Sequence, residues 1–257
     1  MAKNADQFKL DEYILHHVSD SQEWNLPFLG PIHLPEFISL HGLMLLLASA
    51  FLIVLFCFLY NKNSPVPRGI TNFLEVFIVF IRDEIAIPAL GKEDGLKMTP
   101  LFCTFFFFIL VLNLMGLVPI FSTATANYSV TGGLAFITLG FMTFGAIARN
   151  GLKGFVKSLI PLGIPVVLVP LIFTIEFLGL FIKSFALMIR LFANLLAGHV
   201  IILALLGLVA LLGAAALPSM ALAVFVYCLE VLVAVIQAYI FTLLSSVFIG
   251  LTHHPDH

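Results

Sequence analysis

Long apolar runs separated by short polar or proline-bearing breaks set the rhythm of this chain. A helix rising 1.5 Å per residue needs roughly 20 mostly apolar residues, with a range of about 17–25, to cross a hydrocarbon layer about 30 Å thick. Five stretches reach that length, at 40–60, 99–118, 132–148, 164–206 and 218–251. Between the first two lies a different pattern. Apolar residues at 73, 74, 77, 78 and 81 are interleaved with Glu75, Arg82, Asp83 and Glu84, which predicts an amphipathic helix over 69–87 lying in the membrane interface. No charged residue occurs from Met98 to Ala148; Pro119 and the polar run Ser122 to Ser129 break that stretch into a helical hairpin. Residues 149–158, with Arg149, Lys153 and Lys157 and no acid, read as the following loop.

The last two spans are longer than a bilayer requires. Leu171 to Leu206 contains no proline and extends about 54 Å as a helix, and Ser219 to Leu251 about 50 Å, so both are expected to be strongly tilted or bent. Such tilt points to packing against a large partner. The reading is an all-α polytopic membrane protein with about five transmembrane helices and one interfacial helix. Residues 1–39 form a polar N-terminal tail, 40–251 a single membrane domain and 252–257 a short exposed C-terminal tail. The N-terminal stretch lacks a continuous apolar signal region, and Pro27, Pro31 and Pro35 keep the approach to the first span non-helical.

Composition agrees with this class: 61% of residues are hydrophobic and 10% charged, against about 25% charged in ordinary soluble domains. A net charge of -2, with no run of Lys and Arg, excludes a nucleic-acid partner and leaves the lipid bilayer as the chain's solvent. Cys57, Cys103 and Cys228 lie in apolar segments without metal-ligand spacing and read as small hydrophobes. No cofactor or metal site is expected; His16-His17 and the terminal His253-His254-Pro255-Asp256-His257 read as solvated tails. Lys62, Arg68, Arg82, Lys92 and Lys97 fall on the same side as the basic loop 149–158, whereas 119–131 and 207–219 carry no Lys or Arg. The positive-inside rule then puts the N-terminus outside and the C-terminus in the cytoplasm.

Intramembrane charge is where chemistry enters. Between Ser158 and His257 only Glu176, Lys183, Arg190, Glu230 and Asp256 carry formal charge, and all but the last are at lipid depth. An arginine at mid-membrane costs about 3 kcal/mol on insertion scales, so such residues mark function by default. Glu176, Lys183 and Arg190 are spaced by seven and form one stripe, extended by Asn194; Glu230 and Gln237 repeat that spacing on the next helix, with Tyr227 a turn before. Two such faces can enclose water; the alternative is a salt-bridge set that only binds helices together.

The run Arg190-Leu191-Phe192-Ala193-Asn194-Leu195-Leu196-Ala197-Gly198-His199 resembles the signature of subunit a of F-type ATP synthases. Asn113-Leu114-Met115-Gly116-Leu117-Val118-Pro119, Glu176, Lys183 and Gln237-Ala238-Tyr239 match the same family, over about residues 40 to 250. The resemblance implies a stator of the membrane Fo sector, with two offset half-channels carrying protons to and from the carboxylate of a c-subunit ring. It further implies peripheral-stalk b subunits and the whole F1Fo complex as partners, in a bacterial inner membrane. Arg190 would be the essential stator charge between the half-channels, with Glu230 and His199 as proton-relay groups. Asn194, Gln237, Glu176 and Lys183 would line the channels. Family members usually pair an acid and a histidine at the positions of Glu230 and His199, and this chain resembles those with the exchanged arrangement. His199 lies about 180° around the helix from Arg190. It either lines the other half-channel, meets Glu230 across the helix pair, or packs beside Ala197 and Gly198.

Two other classes compete. A proton-coupled secondary transporter would show internal repeats, which are not visible here, and a structural membrane scaffold has no need of an isolated arginine opposite a Glu/Gln face. No Walker A pattern or nucleophile motif occurs, so ATP chemistry is expected in partner subunits and the chain is not an enzyme by itself.

Overall fold

The computed structural model describes residues 23–26, 30–33, 39–59, 69–118, 121–160, 165–212 and 217–253. Among the described residues the regular structure is helical except for one short hairpin, and five helical stretches there are long and apolar enough to cross a membrane. The hairpin pairs β1 (Glu23–Leu26) with β2 (Gly30–His33) antiparallel, Glu23 opposite His33. The hairpin lies within the polar stretch 1–39. The prolines that bar a helix there leave the backbone extended, and extended backbone can pair.

Helix α1 (Leu40–Val54) starts where the Ser39 side chain accepts the Gly42 N–H at 3.2 Å, and a π-helical turn, Leu55–Leu59, continues it. Helix α2 (Ile70–Phe80) passes through a π turn, Ile81–Ala86, into α3 (Ile87–Leu117). Gly91, at φ 77°, breaks the regular backbone inside α3, a conformation that side-chain-bearing residues rarely adopt. A 3-10 turn at Ala124–Ala126 leads to α4 (Tyr128–Gly140), whose first turn is capped by Asn127 accepting the Ser129 N–H at 2.8 Å. After a π turn, Phe141–Gly145, comes α5 (Ala146–Ser158), and then the long helices α6 (Val169–Leu212) and α7 (Leu217–His253).

Helix α3 is the centre of packing. Its Phe102, Phe105, Phe106 and Phe107 are buried, and the rings meet three other helices. Phe77 stacks on Phe106 at 5.7 Å, Phe56 meets Phe107 edge-on at 5.2 Å, and Phe105 meets Phe241 edge-on at 5.7 Å. Offset and edge-on arrangements align ring quadrupoles favourably, by about 0.5–1.5 kcal/mol per pair beyond area burial. Helix α2 joins this core through Leu74, Ile81 and Ile85, which are buried while Phe73 and Val76 stay exposed.

Two expectations are corrected. Residues 149–158 are not an open loop but form most of α5, because Phe155 and Leu159 bury one helical face while Lys153 and Lys157 stay exposed on the other. Arg149 pairs with Asp94, tying this segment to α3, and the backbone is broken only at Gly151, φ 71°. The exposed C-terminal tail expected at 252–257 starts later, since Thr252 and His253 are helical and buried. His253 Nε2 lies 3.4 Å from the Phe141 carbonyl oxygen, and Asn150 Nδ2 donates to the His253 carbonyl at 3.0 Å. Gly145 leaves room for the ring, since a Cβ there would lie 2.9 Å from His253 Nε2. Residues 254–257 and the pair His16-His17 lie outside the described residues.

His253→Ala is expected to loosen the end of α7 without unfolding the bundle. Losing about 1 kcal/mol of local hydrogen bonding raises exchange in the last turn about fivefold. Hydrogen–deuterium exchange of the peptide covering 248–253 checks this, with peptides from α3 unchanged.

Candidate functional site

Helices α6 and α7 run antiparallel, because rising positions on one meet falling positions on the other. Lys183 lies over the Phe248 ring at 6.0 Å, Asn194 Nδ2 donates to Gln237 Oε1 at 3.3 Å, and Gly198 faces the Glu230 carboxylate. Asn194 of the α6 stripe and Gln237 of the α7 pair therefore meet directly, and Glu230 lies in the same seam beside Gly198. At 44 and 37 residues these helices extend about 66 and 55 Å, so neither stands upright in a layer about 30 Å thick.

Gly198 sets how closely they approach. A Cβ at that position would collide with the Glu230 carboxyl group, so any larger residue there has to push the acid's side chain aside. Glu230 is 6% exposed, and neither of its carboxylate oxygens has a hydrogen-bond partner among the described residues. Tyr227, one turn earlier on α7, donates its hydroxyl to the Leu117 carbonyl at 3.3 Å and pins this level of the helix to the end of α3. Asn113, fully buried on α3, donates to the Ala234 carbonyl at 3.4 Å.

Arg190 is placed differently. Leu187, Leu191 and Leu195 turn one face of α6 into the protein, whereas Arg190 is exposed with Ile189, Ala193 and Asn194 beside it. No carboxylate among the described residues comes within ion-pair distance of it; the ion pairs found there are Arg82 with Asp83 and Arg149 with Asp94. Eight residues separate it from Gly198, about 12 Å along the helix, so Arg190 and Glu230 lie at different depths. Ile182, Phe185 and Ile189, near it on α6, are exposed, and so on α7 are Leu229, Leu232 and Ile236.

Glu176 and Lys183 are both half-buried on α6, and no ion pair joins them among the described residues. Lys183 instead meets an aromatic ring, an arrangement worth about 0.5–2 kcal/mol according to desolvation.

His199 reaches away from Arg190, as its half-turn offset requires. Its Nε2 lies 3.1 Å from Thr123 Oγ1, in the segment between α3 and α4. That segment carries polar groups the sequence did not single out. Asn127 Nδ2 lies 3.0 Å from His41 Nδ1, His41 itself is buried, and Thr125 Oγ1 is buried without a hydrogen-bond partner. The available signal was a run of Ser, Thr and Asn without charge between two apolar helices, which marks a turn but not its inward direction.

Asn113 Oδ1, Thr125 Oγ1, both Glu230 oxygens and Gln237 Nε2 are buried without protein partners among the described residues. Each such atom costs about 1–3 kcal/mol unless water completes its bonding, so this seam is chemically suited to hold water. Among the described residues no group of three His, Cys, Asp or Glu side chains could hold a metal ion.

Residues 42–250 match the sequence profile of the family described as ATP synthase A chain. A protein named ATP synthase subunit a from Anaeromyxobacter dehalogenans strain 2CP-C is 49% identical over 84% of this chain and 58% of its own length. Its namesake from Chloroherpeton thalassium is 41% identical over 98% of the chain and 79% of its own length, and that from Myxococcus xanthus 44% over 86% and 76%. The chain thus spans less than two thirds of the Anaeromyxobacter protein.

Gly198→Ala is expected to destabilise the α6–α7 pair by about 1–3 kcal/mol, as overpacking does. Gly133→Ala, where an added Cβ meets nothing within 4 Å, is expected to be neutral or slightly stabilising. Unfolding of the purified chain in detergent separates the two.

Proposed function

The chain belongs to the ATP synthase A chain family, and from that membership we propose that it is the ion-translocating stator subunit of an F-type ATP synthase. The observation that carries the reading is Arg190, a guanidinium on the exposed side of α6 with no carboxylate at ion-pair distance among the described residues, two helical turns away in depth from the buried carboxyl of Glu230.

In this reading the open face of α6 and α7 receives a ring of c subunits, each bringing one carboxyl group past Arg190. A guanidinium stays protonated, so it attracts the ring carboxylate but cannot pass a proton through itself. A fixed cation within about 4–6 Å favours the ionised carboxylate, typically by 1–3 pKa units, so an arriving protonated ring acid releases its proton there. The same charge opposes a direct leak between the two access paths.

Glu230, His199, Asn194 and Gln237 form the path on one side of Arg190, and Lys183 and Glu176 line the other. Glu230 and His199 exchange protons; the amides of Asn194 and Gln237 do not titrate and order water or hold the seam. The water-suited seam supports the first path. Loop charge supports an N-terminus outside and a C-terminus in the cytoplasm of a bacterial inner membrane, with b subunits and the remainder of the F1Fo complex as partners and the proton as the coupling ion. ATP chemistry lies in those other subunits.

The test is proton pumping by the reconstituted complex at equal assembly. Arg190→Ala is expected to abolish coupled pumping, and Glu230→Gln to slow it about 100-fold or more, the usual range for removing a positioned proton-transfer group. Pumping that survives Arg190→Ala would overturn the reading.

A further inference from the structure

Three helices reach one level at the end of the bundle away from the α3–α4 connection. Arg149 of α5 pairs with Asp94 of α3, and Asn150 Nδ2 donates to the His253 carbonyl at the end of α7 at 3.0 Å. The uncharged run from Met98 to Ala148 begins and ends at this level, with Lys92, Glu93, Asp94 and Lys97 before it and Arg149, Lys153 and Lys157 after it. Charge gathered where apolar spans stop marks a membrane boundary. At that boundary the chain turns. Gly151 takes φ 71°, and a Cβ on Gly154 would lie 2.7 Å from the Cβ of Asn150, whereas residues four apart on a straight helix keep their Cβ atoms about 5–6 Å apart. The second half of α5 therefore leaves the line of the first. Phe155, and Leu159 after it, are buried against the protein, while Leu152, Lys153, Val156 and Lys157 are exposed. Leu152 and Val156 are one turn apart, as are Lys153 and Lys157, so an apolar row and a basic row stand side by side.

We propose that this face of α5 binds an anionic phospholipid, with Lys153 and Lys157 on the headgroup phosphate and Leu152 and Val156 against the upper acyl chains. The inference needs only that the chain lies in a membrane, and it does not depend on the roles given to Arg190, Glu230 and His199.

Charge complementarity carries the choice of occupant. Neither lysine forms an ion pair among the described residues, and the sequence holds no acid between Asp94 and Glu176. Asp94 is taken by Arg149, which leaves Glu93, exposed on α3, as the other carboxylate of that segment. A lysine lays its carbon stem along apolar surface while its ammonium stays at headgroup depth, and an amphipathic basic helix binds anionic lipid in this way. Leu152, 66% exposed beside Lys153, has the matching place among acyl chains. A protein interface of ordinary size takes about 20–30 residues a side, whereas a face of four residues matches a single lipid.

The test replaces Leu152 by the apolar photoprobe benzoylphenylalanine in the assembled complex, reconstituted in equal parts of phosphatidylglycerol and phosphatidylcholine, and identifies the crosslinked species by mass spectrometry. Phosphatidylglycerol is expected to be captured about fivefold over phosphatidylcholine, the weight of one lysine beside an anionic surface. The same probe in place of Phe136, exposed on α4 and away from these lysines, is expected to capture the two lipids equally. Lys153→Gln with Lys157→Gln removes the preference and Lys153→Arg with Lys157→Arg keeps it. Raised salt on the unaltered complex weakens the preference too, which reads the same charge effect if the glutamine variant does not assemble. Equal capture at 152, or a preference that outlasts both the glutamine variant and salt, overturns the proposal. Capture of another subunit at 152 overturns it as well, because the face is then a protein contact.

Discussion

The close approach of α6 and α7 at Gly198 is the constraint on which the rest of the membrane domain turns. Because a glycine leaves room for the Glu230 carboxyl, the acid lies inside the helix pair and not in lipid, and the antiparallel register that follows brings Asn194 to Gln237 and Lys183 to Phe248. A larger side chain at 198 would displace the Glu230 carboxyl group from this place, and a polar group driven toward hydrocarbon is costly.

Support for that seam comes from α3 and the segment after it. The phenylalanine core locks α3 against α1, α2 and α7, and from this fixed position Asn113 and the Leu117 carbonyl hold α7 near Glu230. Gly116 seats Thr123, which meets His199 on α6. The motif on α3 and the one on α6 are thus two sides of one contact. Arg190 stands apart from this support on the exposed side of α6, with no carboxylate at ion-pair distance among the described residues.

Much of the candidate site was legible because charge is so rare at lipid depth. With only four charged residues between Ser158 and Thr252, position along the helix was enough to single out Glu176, Lys183, Arg190 and Glu230, and the seven-residue spacing joined them to Asn194 and Gln237. Thr123, Thr125, His41 and Asn127 were not legible in the same way. Uncharged polar residues in a turn have the same composition whether they face water or the protein interior, and only the fold of the α3–α4 connection turns them inward.

The sequence alone determined that this is a helical membrane protein, since runs of apolar residues of bilayer length admit no other backbone solution than helices that satisfy their own hydrogen bonds. It also determined which helices carry charge and that two of them are too long to stand upright. Tertiary structure decided what period and length cannot carry: that residues 149–158 are helical, that His253 is buried by contacts more than 100 residues away in sequence, and that His199 turns to Thr123. The physical reason is common to all three. Local pattern sets the helix and its faces, but the side chain that meets each face comes from a distant segment, and only packing chooses it.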